Sequence, residues 1–184
     1  MKDIIKCDLY RYLNCEYSLI TFFRGLFIPG FRYTYFLRKA STKRKGSISW
    51  IFYKIFLRHY SHQYGFQIPI SAKIGQGFYI GHSGTIIVSE NAVIGINCNI
   101  AAGVTIGQTN RGHKSGSPHI GNYVWMGTNA VIVGGIHIGN DVLVAPGAFV
   151  NFDVPDHSVV IGNPGEIISR ANATESYIEF IRPD

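Results

Sequence analysis

Seven histidines give this chain its acid–base chemistry, because an imidazole with a reference pKa near ~6.5 changes charge around neutral pH. His82 stands in I-G-H-S-G-T, directly after Ile80 and Gly81. It reads either as a general base that takes a proton from a hydroxyl or as a solvated corner histidine. His113 lies inside the polar stretch QTNRGHKSGSPH and His119 closes it after Pro118; each suits a second site histidine or a plain surface position. Asn110 and Arg111, in the same stretch, carry donors for an acceptor hydroxyl or a phosphate, with solvent exposure as the equal alternative. Cys7, Cys15 and Cys98 are an odd number without a Cys/His cluster, so neither a disulfide framework nor a zinc site is indicated and no metal is expected.

The elements that must carry these groups follow from a period. Aliphatic residues recur at Ile68, Ile74, Ile80 and Ile86, at Ile94, Ile100 and Ile106, and at Ile120, Met126, Ile132, Ile138, Val144 and Val150, with a step of six inside each group. A step of six fits neither strand alternation nor a helical stripe. It fits a solenoid of very short strands with three faces, and its regularity disfavours a β-sandwich. Glycine follows the aliphatic at 75, 81, 95, 107, 121, 127 and 139, where it is expected to permit corner torsions that a Cβ would oppose. The register breaks between Ile86 and Ile94 and again between Ile106 and Ile120. The second, longer break is the predicted site-forming loop.

These repeats, with IGHSGTIIVSENAVIG, GVTIGQTNRG, PHIGNYVWMGTNAVIVGGIHIGNDVLVAPGAFV and DVPDHSVVIGNP, resemble the hexapeptide-repeat acyltransferases over about residues 66–170. Within that family the likeness is to serine acetyltransferase-like proteins and to the O-acetyltransferases of bacterial surface-polysaccharide synthesis. It implies a mainly β fold, a left-handed parallel β-helix over 66–165, with a helical segment over 1–65 and a tail over 166–184. It also implies a homotrimer with acetyl-CoA as donor between subunits. His82 would be the base. His119 or His113 would be the second histidine, although serine acetyltransferases place it before the proline, where Ser117 stands here. Gln67 occupies the place of the aspartate that orients the base, and Glu90 matches a glutamate near it. Gln67 can fix an imidazole tautomer but cannot stabilise the imidazolium as a carboxylate would. Gly81 replaces an aspartate that holds the serine amino group. Trp125, Gly127, Thr128 and Ala145 would line the donor slot, while Glu166 stands where a basic residue often meets CoA phosphate.

The two lost carboxylates lead to the expectation of a neutral acceptor, a sugar hydroxyl in capsule, exopolysaccharide or O-antigen synthesis. Serine O-acetylation and a non-enzymatic trimeric scaffold are the alternatives.

Charge separates two segments. Residues 1–62 hold twelve Lys/Arg against Asp3, Asp8 and Glu16, a net of +9, and the rest of the chain is mildly acidic. Their aromatics, broken at Pro29-Gly30 and around Ser41–Gly46, are expected to cap the open end of the solenoid, and peripheral contact with the inner membrane surface is a further expectation. No nucleic-acid motif accompanies the charge. A cytoplasmic protein is expected, since the start MKDIIKCDLYRYLNCEYS lacks an apolar h-region.

Overall fold

The computed structural model describes residues 2–183. Four helices precede the solenoid: α1 (Lys2–Leu13), α2 (Leu19–Gly25), α3 (Pro29–Ser41) and α4 (Ile48–Tyr64). Local chemistry sets their ends. Ser18 and Thr21 close a capping box on α2, Pro29 opens α3, Ser47 caps α4 and Gly65 ends it in the left-handed region.

From Phe66 the chain coils over three parallel faces. The first carries Phe66–Gln67, Ile86–Val88, Thr105–Gly107, Val131–Val133 and Phe149–Val150. The second carries Lys73–Ile74, Val93–Ile94, His119–Ile120 and His137–Ile138. The third carries Tyr79–Ile80, Asn99–Ile100, Val124–Met126, Val142–Val144 and Ser158–Ile161, and Glu166–Ser169 closes it by pairing antiparallel with the last of these. The inward aliphatics are buried and stack in columns. On the first face the column runs Val88, Ile106, Ile132, Val150.

That column relocates the first register break. Gln67 pairs with Ile87, twenty residues on, whereas Ile87 pairs with Thr105 after eighteen. Val88 rather than Ile86 therefore continues the six-residue step to Ile94, and the two extra residues fall between Ile80 and Val88. The widened corner is the one that carries His82, and Glu90 sits at an ordinary corner.

The corner glycines also have a different cause from the one expected. A Cβ on Gly75, Gly95 or Gly121 would fall 2.6, 2.4 or 2.6 Å from a backbone atom of the next coil. Close approach of coils, not torsion, excludes a side chain there. The left-handed torsions at this corner belong instead to Gly77 and, in the later coils, to Asn97, Tyr123, Asp141 and His157.

The N-terminal helices cap the solenoid. Tyr33, Leu37 and Ala40 of α3 and Leu57 and Tyr64 of α4 join Phe66, Phe78 and Ile80 in one core. A buried polar network fixes the cap. Arg38 Nε donates to Asp8 Oδ2 at 3.0 Å, Phe78 N donates to Asp8 Oδ1 at 3.0 Å, and Arg11 donates to Gly77 O and Asn99 Oδ1. Burial pushes the Asp8 carboxyl upward against the pull of Arg38.

Candidate active site

Two corners flanking the first face collect most of the reactive side chains. At the turn from the third face to the first, successive coils place His82, then Ala102, then Gly127 and Thr128, then Ala145. Gly84 stacks on Ala102, where a Cβ on it would fall 2.9 Å from that of Ala102, so His82 and Ser83 are the two extra residues of this corner. His82 is exposed and its ring has no hydrogen-bond partner among the described residues. Gly84 at this corner adopts φ 149° and its N–H donates to Tyr64 O at 2.9 Å.

The backbone N–H groups of Gly127 and Ala145 are already committed to the inter-coil ladder, donating to Val144 O and Val160 O at 2.8 Å each. Thr128 is exposed, and among the described residues its N–H and hydroxyl have no partner. It is therefore a group on this corner free to donate to a developing oxyanion, as are the exposed Ser83 and Thr85 hydroxyls.

Trp125 points outward on the third face in the row Tyr79, Asn99, Trp125, Leu143, Val159. Its ring is packed by Tyr177 of the tail, with centroids 4.9 Å apart. The tail is fastened there: Asn99 Nδ2 donates to Tyr177 O at 3.0 Å, and Asp141 accepts from Ala173 N, Thr174 N and Thr174 Oγ1. Partial burial raises the Asp141 carboxyl, but hydrogen bonds from Thr174, His157 and Ala173 outweigh it and hold the carboxyl below its ordinary range.

The second corner, from the first face to the second, carries Glu90 and the excursion. The loop folds on itself through Thr109 and Gly116, which exchange N–H···O bonds of 3.0 and 2.9 Å. Ser117 Oγ meets Ser89 Oγ at 2.8 Å, and Lys114 pairs with Asp153 at 2.6 Å. The base is thus tied down, while Asn110, Arg111 and His113 at the tip are exposed. His119 lies on the outer second face, stacked on His137 with ring centroids 5.2 Å apart; the sequence reading had not singled out that partner.

Gln67 is exposed on the first face, between the two corners. It lines a cavity of about 430 Å³ with Lys54, Arg58, Ser61 and Ile87. No hydrogen bond joins it to His82 among the described residues. Lys54 and Arg58 are cations beside the candidate residues that the hexapeptide pattern could not reveal, because they come from α4. Cys98 is no rival nucleophile: burial pushes its thiol up to about 12. Among the described residues no group of three His, Cys, Asp or Glu could hold a metal.

Residues 117–151 match the family model described as bacterial transferase hexapeptide (six repeats). Serine acetyltransferase 2 of Arabidopsis thaliana is 40% identical over 108 residues, 59% of this chain and 33% of that one. The crystal structure of Neisseria gonorrhoeae serine acetyltransferase in complex with serine superposes with TM-score 0.72 at 28% identity, covering 91% of this chain and 69% of that one. Serine acetyltransferase from Brucella abortus in complex with coenzyme A gives TM-score 0.76 at 26% identity, covering 92% and 68%. The matched stretch is only a third of the Arabidopsis protein's length. The chain is a hexapeptide-repeat β-solenoid similar to serine acetyltransferases. The expectation of a sugar acceptor in surface-polysaccharide synthesis is corrected by this result. It rested on two positions, Gln67 and Gly81, whereas the likeness to serine acetyltransferases extends over 108 residues in sequence and nearly the whole fold.

Proposed function

We propose that this hexapeptide-repeat protein is an acetyl-CoA-dependent O-acetyltransferase of the serine acetyltransferase type, with L-serine as acceptor. The observation that carries the proposal is the exposed His82, without a hydrogen-bond partner among the described residues, on a widened corner that also carries Thr128. His82 takes the proton of the acceptor hydroxyl as its oxygen attacks the thioester carbonyl carbon. Thr128 steadies the tetrahedral oxyanion. Collapse breaks the C–S bond, and the imidazolium returns the proton to the departing CoA thiolate, so no acyl-enzyme forms. Lys54 and Arg58 beside Gln67 offer the cations that a carboxylate-bearing acceptor needs.

The two residue sets occupy different corners of one subunit. A single site uniting His82 with the loop tip of Asn110, Arg111 and His113 therefore takes its loop from a neighbouring copy, in a homotrimer with the donor along the His82 corner. Thiol release from acetyl-CoA, followed with increasing L-serine, tests the reading. Saturable release dependent on serine supports it, and no release above hydrolysis refutes it.

A further inference from the structure

Helix α4 is apolar on two opposite sides. Tyr53, Leu57, Tyr60 and Tyr64 face the molecule's interior, while Ile48, Ile51, Phe52, Ile55 and Phe56 form a second stripe at the spacing i, i+3, i+4, i+7, i+8 that stays exposed. A helix with an apolar stripe beyond the one it packs inward has a second surface to bury. Ile48 is 88% exposed, and on α2 and the turn after it Ile20 is 74% and Phe27 81% exposed. The two exposed faces are continuous: Phe23 and Phe27 share a groove with Phe36 and Tyr60, and Phe36 stacks on Phe56 at 5.2 Å, which meets Phe52 at 4.8 Å.

Charge identifies what covers this patch. Between Glu16 and Glu90 the chain has no acidic residue. In the chain, Arg24 lies on α2 beside Phe23 and the Lys43–Arg44–Lys45 run leads into α4 just before Ile48, and among the described residues none of them is in an ion pair. A second copy of the same face would set cations against cations. No helix among the described residues is long and apolar enough to cross a membrane, so insertion would be shallow and parallel to the surface. We propose that the exposed faces of α2 and α4 dock on an anionic lipid bilayer, with the aromatic and aliphatic side chains in the acyl boundary and the cations at the headgroups.

Co-sedimentation of the full chain with vesicles tests this, using phosphatidylcholine alone and phosphatidylcholine with about one-third phosphatidylglycerol. The expected result is binding to the anionic vesicles that weakens as salt rises. The triple variant Ile20→Ser, Phe27→Ser, Ile48→Ser should bind about tenfold or more weakly, with an unchanged circular dichroism spectrum. The variant Lys43→Glu, Arg44→Glu, Lys45→Glu, which leaves the apolar patch intact, should show a comparable loss. Failure of the parent chain to sediment with anionic vesicles overturns the proposal, as does binding that both variants retain. If the triple variant instead shrinks the assembly in light scattering while vesicle binding is absent throughout, the patch is a contact between copies.

Discussion

An imidazole becomes a useful base only when nothing else claims its lone pair and a hydroxyl can be held against it. His82 meets the first condition, since its exposed ring has no partner among the described residues. Gln67 stands in the position from which the resemblance implies an orienting carboxylate, yet it lies on the first face without a bond to His82. Gly81 is the more tractable departure. A Cβ there would meet only Tyr79 Cε1, at 3.4 Å, an ordinary contact. Gly81→Asp should therefore fold normally and, with serine as the proposed acceptor, place a carboxylate opposite its ammonium. About a five- to tenfold fall in KM for L-serine with little change in kcat is expected from one charge-assisted hydrogen bond. An unchanged KM would place the amino group elsewhere.

The six-residue step, the solenoid and the long loop were legible because each inward aliphatic is separately visible in the chain. The widened corner was not, because Ile86 and Val88 are both aliphatic and only pairing shows which one keeps the column. Equally hidden were Tyr177 on Trp125 and α4's cations beside Gln67, contacts between residues far apart in sequence. Gly75, Gly95 and Gly121 were located correctly, but close approach of coils rather than torsion accounts for them. Their cause predicts that Gly121→Ala, whose methyl would sit 2.6 Å from Gly139 O, costs about 1–3 kcal/mol by overpacking, read as a lowered thermal midpoint; an unchanged midpoint would contradict the close-approach account. The tail is held by a different device. Because the Asp141 carboxyl is held below its ordinary range, the stabilisation it lends is in place above the unfolded value of about 4 and is lost as pH falls through the folded value. Amide-exchange protection at Ala173 and Thr174, whose N–H groups Asp141 accepts, should fall over that acidic range. It should be lower and pH-insensitive there in Asp141→Asn.

At the scale of the whole molecule, a basic aromatic cap closes one end of a mildly acidic solenoid, and the candidate residues are split between two corners of the chain. That division makes a prediction no single-chain site would make. His82→Ala and a variant lacking loop-tip residues 110–113 should each be inactive alone. Dissociated and reassembled together, they should recover about a quarter of parental activity, the share of interfaces with both halves intact under random mixing. No recovery would mean that each chain builds its site alone. The central claim is that His82 is the base for acetyl transfer to serine, and it is tested most directly by the kcat of thiol release from acetyl-CoA with saturating L-serine, parent against His82→Ala. The account predicts measurable parental turnover and a fall of about 10²- to 10⁴-fold in the variant with the fold intact; a variant that keeps most of the rate would contradict it.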